Sequence, residues 1–119
     1  MIIEFNDAIF NAQIVALIDA KEKEVKKWLT KNGYENEAED IMSLPNTEGC
    51  AGGFDNYYFM HTNSKRLATI VHECQHLTYK ILKDYGIQHC DATDEVFAYH
   101  IDFLVNYIVH QLKLKNITL

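Results

Sequence analysis

The segment His72-Glu73-Cys74-Gln75-His76 constrains this chain more than any other part of its sequence. Helical positions four apart lie on one face, one turn apart, so both imidazoles can approach a single ion. A glutamate after the first histidine is placed to act as general base on a water molecule at that ion. The segment therefore predicts a zinc site, provided that it is helical and that a third ligand follows.

The flanking residues predict this helix. Apolar or small residues recur there at three- and four-residue spacing: Leu67, Ile70, Val71, Cys74, Thr78 and Ile81. Such spacing is typical of a helix face that packs on a core. His72 and His76 fall on the opposite side, and Gly86 is well placed to end the helix. The alternative is that both histidines belong to an ordinary solvated face.

A third ligand is expected on the next long helix, which the pattern predicts over residues 94–113. The predicted apolar side of this helix consists of Phe97, Ala98, Ile101, Leu104, Val105, Ile108 and Leu112. The predicted polar side consists of Glu95, Tyr99, Asp102, Asn106 and His110. An antiparallel return of the chain would bring Glu95 towards the two histidines. An ordinary water-facing helix side is the alternative.

Three motif segments together resemble a known family. They are 72–76, Gly86-Ile87 and Glu95-Val96-Phe97-Ala98-Tyr99. They are similar to the minimal zincin-like metallopeptidase proteins often encoded by bacteriophages and prophages, within the wider gluzincin class that includes thermolysin-like peptidases. The resemblance covers about the C-terminal half of the chain. It implies zinc held by His72, His76 and Glu95, with Glu73 as the general base.

The chain departs from the thermolysin-like pattern at two points. Those enzymes carry an aspartate four residues after the ligand glutamate, where this chain has Tyr99. They also carry a downstream histidine that steadies the reaction oxyanion, and no residue here matches it by sequence. We expect Tyr99, rather than His100, to donate to the oxyanion because it shares a helix side with Glu95. Asp102 is expected to accept an N–H from a ligand histidine.

Composition limits the classes of function. A chain of 119 residues is expected to form one domain, over residues 1–119. The formal net charge of -6 argues against a nucleic-acid partner, which would require a basic face. The N-terminus lacks a signal-peptide pattern, and no run reaches membrane-spanning length. We therefore expect a cytoplasmic protein without a membrane partner, in the host cytoplasm if a phage encodes it.

The cysteines are expected to be free thiols. Cys50, Cys74 and Cys90 are odd in number and show no Cys-x-x-Cys spacing. Cys74 lies on the predicted core-facing side of its helix, which favours a packing role. A second metal site from His89, Cys90 and Asp91 is a less favoured alternative, because it lacks standard ligand spacing.

The remaining patterns complete the expected fold. Strands are predicted at 10–19, 54–61 and 1–5, helices at 21–32 and from Glu37, and a loop at 45–53. His61 is expected at the surface, and a position in the cleft is the alternative. The expected class is α+β, a small zincin-like domain with a short mixed sheet packed on about three helices. The helix that carries His72 and His76 is expected at its centre.

The predicted function is that of a zinc-dependent metallopeptidase acting on a peptide or protein substrate. The resemblance implies that an extended substrate pairs with an edge strand beside the metal, and the strand at 54–61 is the expected candidate. The alternative is a catalytically inactive zincin-like metal-binding or protein-interaction module. A fourth protein ligand and a closed metal site would favour that alternative. The sequence does not indicate an oligomeric state.

Overall fold

The fold is α+β, as predicted, with four strands and three helices in the residues that the structure describes. The computed structural model describes residues 1–34, 49–54 and 56–115. In chain order the elements are β1 (Ile2–Asp7), β2 (Ala12–Ile18), α1 (Glu22–Lys31), β3 (Gly49–Gly53), β4 (Tyr58–Thr62), α2 (Leu67–Asp84) and α3 (Asp94–Leu114). The short helix predicted from Glu37 lies outside the described residues.

The four strands form one mixed sheet in the order β1-β2-β4-β3. β2 pairs antiparallel with β1 and parallel with β4. Residues 14–18 of β2 are all buried, because this strand has a neighbour on each side and helices on both faces of the sheet. This confirms the prediction of a strand buried on both sides, which the nearly continuous apolar run indicates.

Two predictions about the segment 45–61 are wrong. Residues 45–53 were predicted as a loop, but Gly49 to Gly53 pair antiparallel with β4, with Gly49 opposite Thr62. The predicted strand at 54–61 begins later, at Tyr58, and lies between β2 and β3 rather than at an edge. Glycine has low strand propensity, so pairing with β4 rather than local preference explains β3.

Two hydrophobic clusters lie on opposite faces of the sheet. On one face, α1 buries the predicted residues Val25, Trp28 and Leu29 against Val15 and Leu17. On the other face, α2 and α3 share the larger cluster, which includes Ile14, Met60, Ile70, Cys74, Leu77, Ile81, Leu104 and Ile108.

None of the described helices combines the length and apolar character needed to cross a bilayer.

The buried side of α2 differs from the prediction. Leu67 and Val71 are exposed, whereas Thr69, Glu73, Leu77 and Leu82 are buried. The helix packs on both the sheet and α3, so its buried arc is wider than a single stripe and includes Glu73. The predicted end of this helix is confirmed, since α2 stops at Asp84 and Gly86 adopts a positive φ of 79°.

Three fully buried polar side chains join β1, α2 and α3. The Nε2 atom of His100 donates to a carboxylate oxygen of Asp7, and His100 Nδ1 lies 2.7 Å from the Thr78 hydroxyl. The Thr78 hydroxyl can donate to Nδ1 of the neutral ring or accept from the Nδ1–H of the protonated ring, so this contact forms in either case. Asp7 also accepts from the backbone N–H groups of Ile9, at 2.9 Å, and Phe10, at 3.4 Å. Each of the three side chains therefore has a partner.

We expect Asp7 to make the fold acid-sensitive. Burial alone raises the pKa of Asp7, but the hydrogen bond and charge of His100, with two backbone N–H groups, offset burial and lower it. A lowered pKa adds stability above the unfolded value, about 3.9, and this stability is lost as the pH falls through the folded value. In urea titrations, the difference in unfolding free energy between wild type and Asp7→Asn should shrink below about pH 4.

Asp91→Asn is the matched control, because Asp91 is exposed. Its difference from wild type should change little over the same pH range. A wild-type to Asp7→Asn difference that stays constant down to pH 2 would contradict the assigned role of Asp7.

Candidate metal centre

His72 and His76 lie one turn apart on the exposed side of α2, with their Nε2 atoms 3.1 Å apart. Two nitrogens that bind one zinc ion tetrahedrally at about 2.0–2.1 Å would be roughly 3.3 Å apart. The two rings are therefore aimed at a common point. A hydrogen bond between them would give the same distance without an ion, but in contact with water such a bond contributes little stability.

Glu73 lies beside this pair but inside the fold. Its side chain is 5% exposed, and one carboxylate oxygen, Oε1, lies 3.8 Å from His72 Nε2. The other oxygen, Oε2, is buried without a hydrogen-bond partner in the described part of the chain. Burial raises the pKa of Glu73, and the charges of His76 and His72 lower it only in part. An unpartnered buried oxygen at this position suits a water molecule or cation shared with the histidines.

These three residues form a possible metal-binding group on a helix. One ligand atom from each of His72, Glu73 and His76 lies within 4.8 Å of the others, the one such group in residues 1–34, 49–54 and 56–115. Two imidazoles and a carboxylate are donors that suit zinc and other divalent transition metals. The prediction that His72, Glu73 and His76 lie close together on one helix is thus confirmed. Their positions do not identify the ion.

Gly49 explains how β3 approaches Glu73 so closely. A Cβ added at Gly49 would lie 2.4 Å from the His61 carbonyl oxygen and 3.0 Å from Glu73 Cγ. At the other end of β3, a Cβ added at Gly53 would lie 3.6 Å from Lys80 Cε. The strand therefore follows α2 in the same direction and forms one side of the surface that carries the histidines.

The other predicted site residues lie on the exposed part of α3. Glu95 is in the first turn and is not a member of the group formed by the histidines and Glu73. Tyr99 is 67% exposed and lines a shallow surface depression together with Asp102. Asp102 accepts a hydrogen bond from the Asn106 amide at 3.1 Å. The proposed roles of Glu95, Tyr99 and Asp102 stay predictions.

The prediction for His61 is wrong. This residue is buried, and its Nε2 atom donates to the Ala20 carbonyl at 3.1 Å. Burial lowers the pKa of His61, which favours the neutral ring. The sequence pattern missed this because it placed the strand 54–61 at an edge, whereas β4 lies inside the sheet.

The cysteines agree with the predictions in part. All three are free thiols. Cys74 is buried, with its sulfur 3.8 Å from that of Met60, which confirms a packing role. Cys50 lies on β3 rather than in a loop. Among the described residues, His89, Cys90 and Asp91 do not form a metal-binding group.

Comparisons of the chain with protein-family models, with curated proteins and with solved structures give no match. The class that the fold and site define is therefore an α+β protein with a possible His/Glu metal-binding group on a helix.

Alanine at Gly49 tests the packing of β3 on Glu73. We expect Gly49→Ala to lower the unfolding free energy by about 1–3 kcal/mol, because the nearest atom belongs to backbone and the strand must move. If the His72–Glu73–His76 group binds a metal ion, the same shift should weaken that binding, measured by isothermal titration with zinc as the probe.

Gly53→Ala is the matched control on the same strand, where the closest atom to an added Cβ is 3.5 Å away, an ordinary contact. It should leave both quantities nearly unchanged. Equal losses in the two variants would show that close packing at Gly49 is not their cause.

Proposed function

We propose that this chain is a zinc-dependent metallopeptidase of the minimal zincin-like kind, acting on peptide or protein substrates. The observation that carries the proposal is the buried Glu73 carboxylate beside the exposed His72–His76 pair: one of its oxygens lies 3.8 Å from His72 Nε2, and the other has no hydrogen-bond partner among the described residues. A structural zinc site is closed by four protein ligands, whereas a catalytic site keeps one position open to water. An exposed histidine pair next to a buried carboxylate suits the open kind.

His72 and His76 would hold the zinc ion, with Glu95 as the proposed third ligand. Contacts between the helices support this choice. The Phe97 ring contacts the Tyr79 ring at a centroid distance of 5.1 Å, so α3 begins beside the turn of α2 that follows His76. Glu95 is in the same first turn of α3 as Phe97, on the exposed side of that helix.

Bound zinc would make a water molecule more acidic and polarise the peptide carbonyl. Glu73 would take the proton from that water and pass it to the leaving amine. Burial supports this role, because a carboxylate with a raised pKa is a stronger base near neutral pH. Tyr99 is the proposed donor to the developing oxyanion, and Asp102 is proposed to orient a ligand histidine.

An extended substrate would pair with β3 rather than with β4. Within the described residues, β3 has a neighbouring strand on one side only, and it runs beside Glu73. Its residues are all small, Gly-Cys-Ala-Gly-Gly, so their side chains would interfere little with the pairing of a peptide along this strand. Backbone pairing of this kind would bind many sequences with modest preference.

The second candidate function is a zincin-like metal-binding or protein-interaction module without catalysis. One observation favours it: Glu95 lies outside the group formed by His72, Glu73 and His76. Two histidines alone are an incomplete catalytic zinc site, which takes three protein ligands.

The variant Glu73→Gln separates the two candidates. We expect its zinc content, measured by mass spectrometry of the purified protein, to equal that of wild type. Its cleavage of an unfolded polypeptide should fall by about 10²–10⁴-fold, because the general base is lost. Glu22→Gln, at an exposed position on α1, is the control and should cleave normally. Absence of cleavage in wild type and Glu73→Gln alike would remove the peptidase proposal and leave the metal-binding module.

The third ligand is tested by two substitutions on α3. Glu95→Ala should abolish tight zinc binding in competition titrations with a chelating dye, because two protein ligands remain. Asp102→Ala should weaken zinc binding only about 10–100-fold, as expected for a residue that orients a ligand. Asp91→Ala, at an exposed position before α3, serves as the charge-matched control. Unchanged zinc affinity in Glu95→Ala would assign the third ligand to another residue.

A further inference from the structure

A cavity of about 400 Å³ lies between α2, the segment that follows it and the start of α3. The residues that line this cavity are Tyr79, Lys83, Ile87, Gln88, His89 and Phe97. The rings of Tyr79, His89 and Phe97 contact one another, with centroids 4.7 to 5.4 Å apart. A concave site of this size, lined by aromatic and aliphatic groups, is typical of a ligand pocket.

The cavity lies on the same side of α2 as the histidine pair. His72, His76, Tyr79 and Lys83 follow one another at spacings of four, three and four residues, which places them on one helix side. Tyr79 and Lys83 are about 4.5 and 10 Å beyond His76 along the axis, at 1.5 Å per residue. An extended peptide advances roughly 3.3 Å per residue, so 4.5 to 10 Å corresponds to about 1.4 to 3 residues, which places the second or third residue from a bond cut at the histidines beside the cavity.

The strand β3 gives the direction in which a substrate would run. Gly49 lies beside Glu73 and Gly53 beside Lys80, so β3 and α2 point the same way. A peptide that pairs antiparallel with β3, as β4 does on the other side, would run from Lys80 towards Glu73. The residues that precede the scissile bond would then pass the cavity.

The lining favours an apolar side chain. Tyr79, Ile87 and Phe97 present mainly carbon, and the long stem of Lys83 can cover apolar surface while its ammonium stays in water. The His89 ring is already paired, because its Nε2 atom lies 2.8 Å from a carboxylate oxygen of Asp94. Among the described residues, the cavity lining includes no carboxylate that could pair with a cationic substrate group, so burying such a group here would cost its hydration.

We propose that this cavity binds the side chain of the second or third residue before the scissile bond and selects an aromatic or large aliphatic residue there. This inference rests on the proposed peptidase function and adds the substrate preference. Apolar pockets discriminate by about 10- to 200-fold per methylene, so the preference over alanine should be at least tenfold in kcat/KM.

Cleavage-site mapping in a complex mixture of unfolded peptides tests the preference. Wild-type, zinc-loaded protein should cut with enrichment of Phe, Tyr, Leu or Met two or three residues before the bond. Gln88→Trp places a large ring at the exposed rim of the cavity and should abolish the enrichment while cleavage continues. Lys27→Trp introduces the same ring on α1, across the sheet, and should keep the wild-type preference.

Binding of N-acetyl-phenylalaninamide, followed by the methyl NMR signal of Ile87, separates the two possible failures. N-acetyl-alaninamide is the matched control probe. A shift with the phenylalanine probe that Gln88→Trp removes supports the pocket, even where no peptide is cut and the peptidase proposal fails. Cleavage without enrichment, or with enrichment that persists in Gln88→Trp, overturns the pocket and leaves the peptidase proposal standing. An unshifted Ile87 signal also overturns the pocket.

Discussion

The buried hydrogen bonds from Thr78 to His100 and from His100 to Asp7 hold the candidate site together. They join the helix that carries both histidines, the helix that carries Glu95, and the end of β1. Leaving one partner of a buried hydrogen bond unpaired costs about 1–3 kcal/mol, an appreciable part of the 5–15 kcal/mol by which a typical domain is stable. The network therefore disfavours other registers of α3 on α2, and the register decides which α3 residues are near His76.

Glu73 differs from these three buried polar side chains because one of its oxygens has no hydrogen-bond partner among the described residues. Leaving a buried carboxylate oxygen without a partner costs about 1–3 kcal/mol. Gly49 makes that burial possible, because any larger residue would force β3 away from Glu73. A fold that satisfies Asp7, Thr78 and His100 but leaves Glu73 unsatisfied keeps its unfavourable polar group next to the histidine pair. Local violations of this kind are expected where function, rather than stability, selects the residue.

Local periodicity was sufficient for the elements that bury a regular face. The buried strand β2, the helix α1 with Trp28, and both long helices follow from spacing alone, as does the position of the two histidines relative to Glu73. The sequence did not predict β3, because Gly-Cys-Ala-Gly-Gly has no strand pattern and pairs only through its neighbour β4. Burial of His61 follows from the same non-local pairing.

The contact of Asp7 with His100 joins residues 93 positions apart and has no local signature. The same holds for the cavity, whose floor combines Tyr79 of α2 with Phe97 of α3. Local periodicity places each residue on its own helix side but does not give the register between helices. Residues that act through such contacts require the fold before they can be assigned.

In the proposed cleft, recognition divides between two sides of the histidine-bearing surface of α2. The strand β3 lies on one side and offers backbone groups, which bind extended chains with little regard to sequence. The aromatic cavity lies on the other side and offers carbon surface, which distinguishes side chains by size. A chain of 119 residues has little material for a deep cleft. Using an edge strand for affinity and one short cavity for selectivity would let so short a chain bind a polypeptide in a single register.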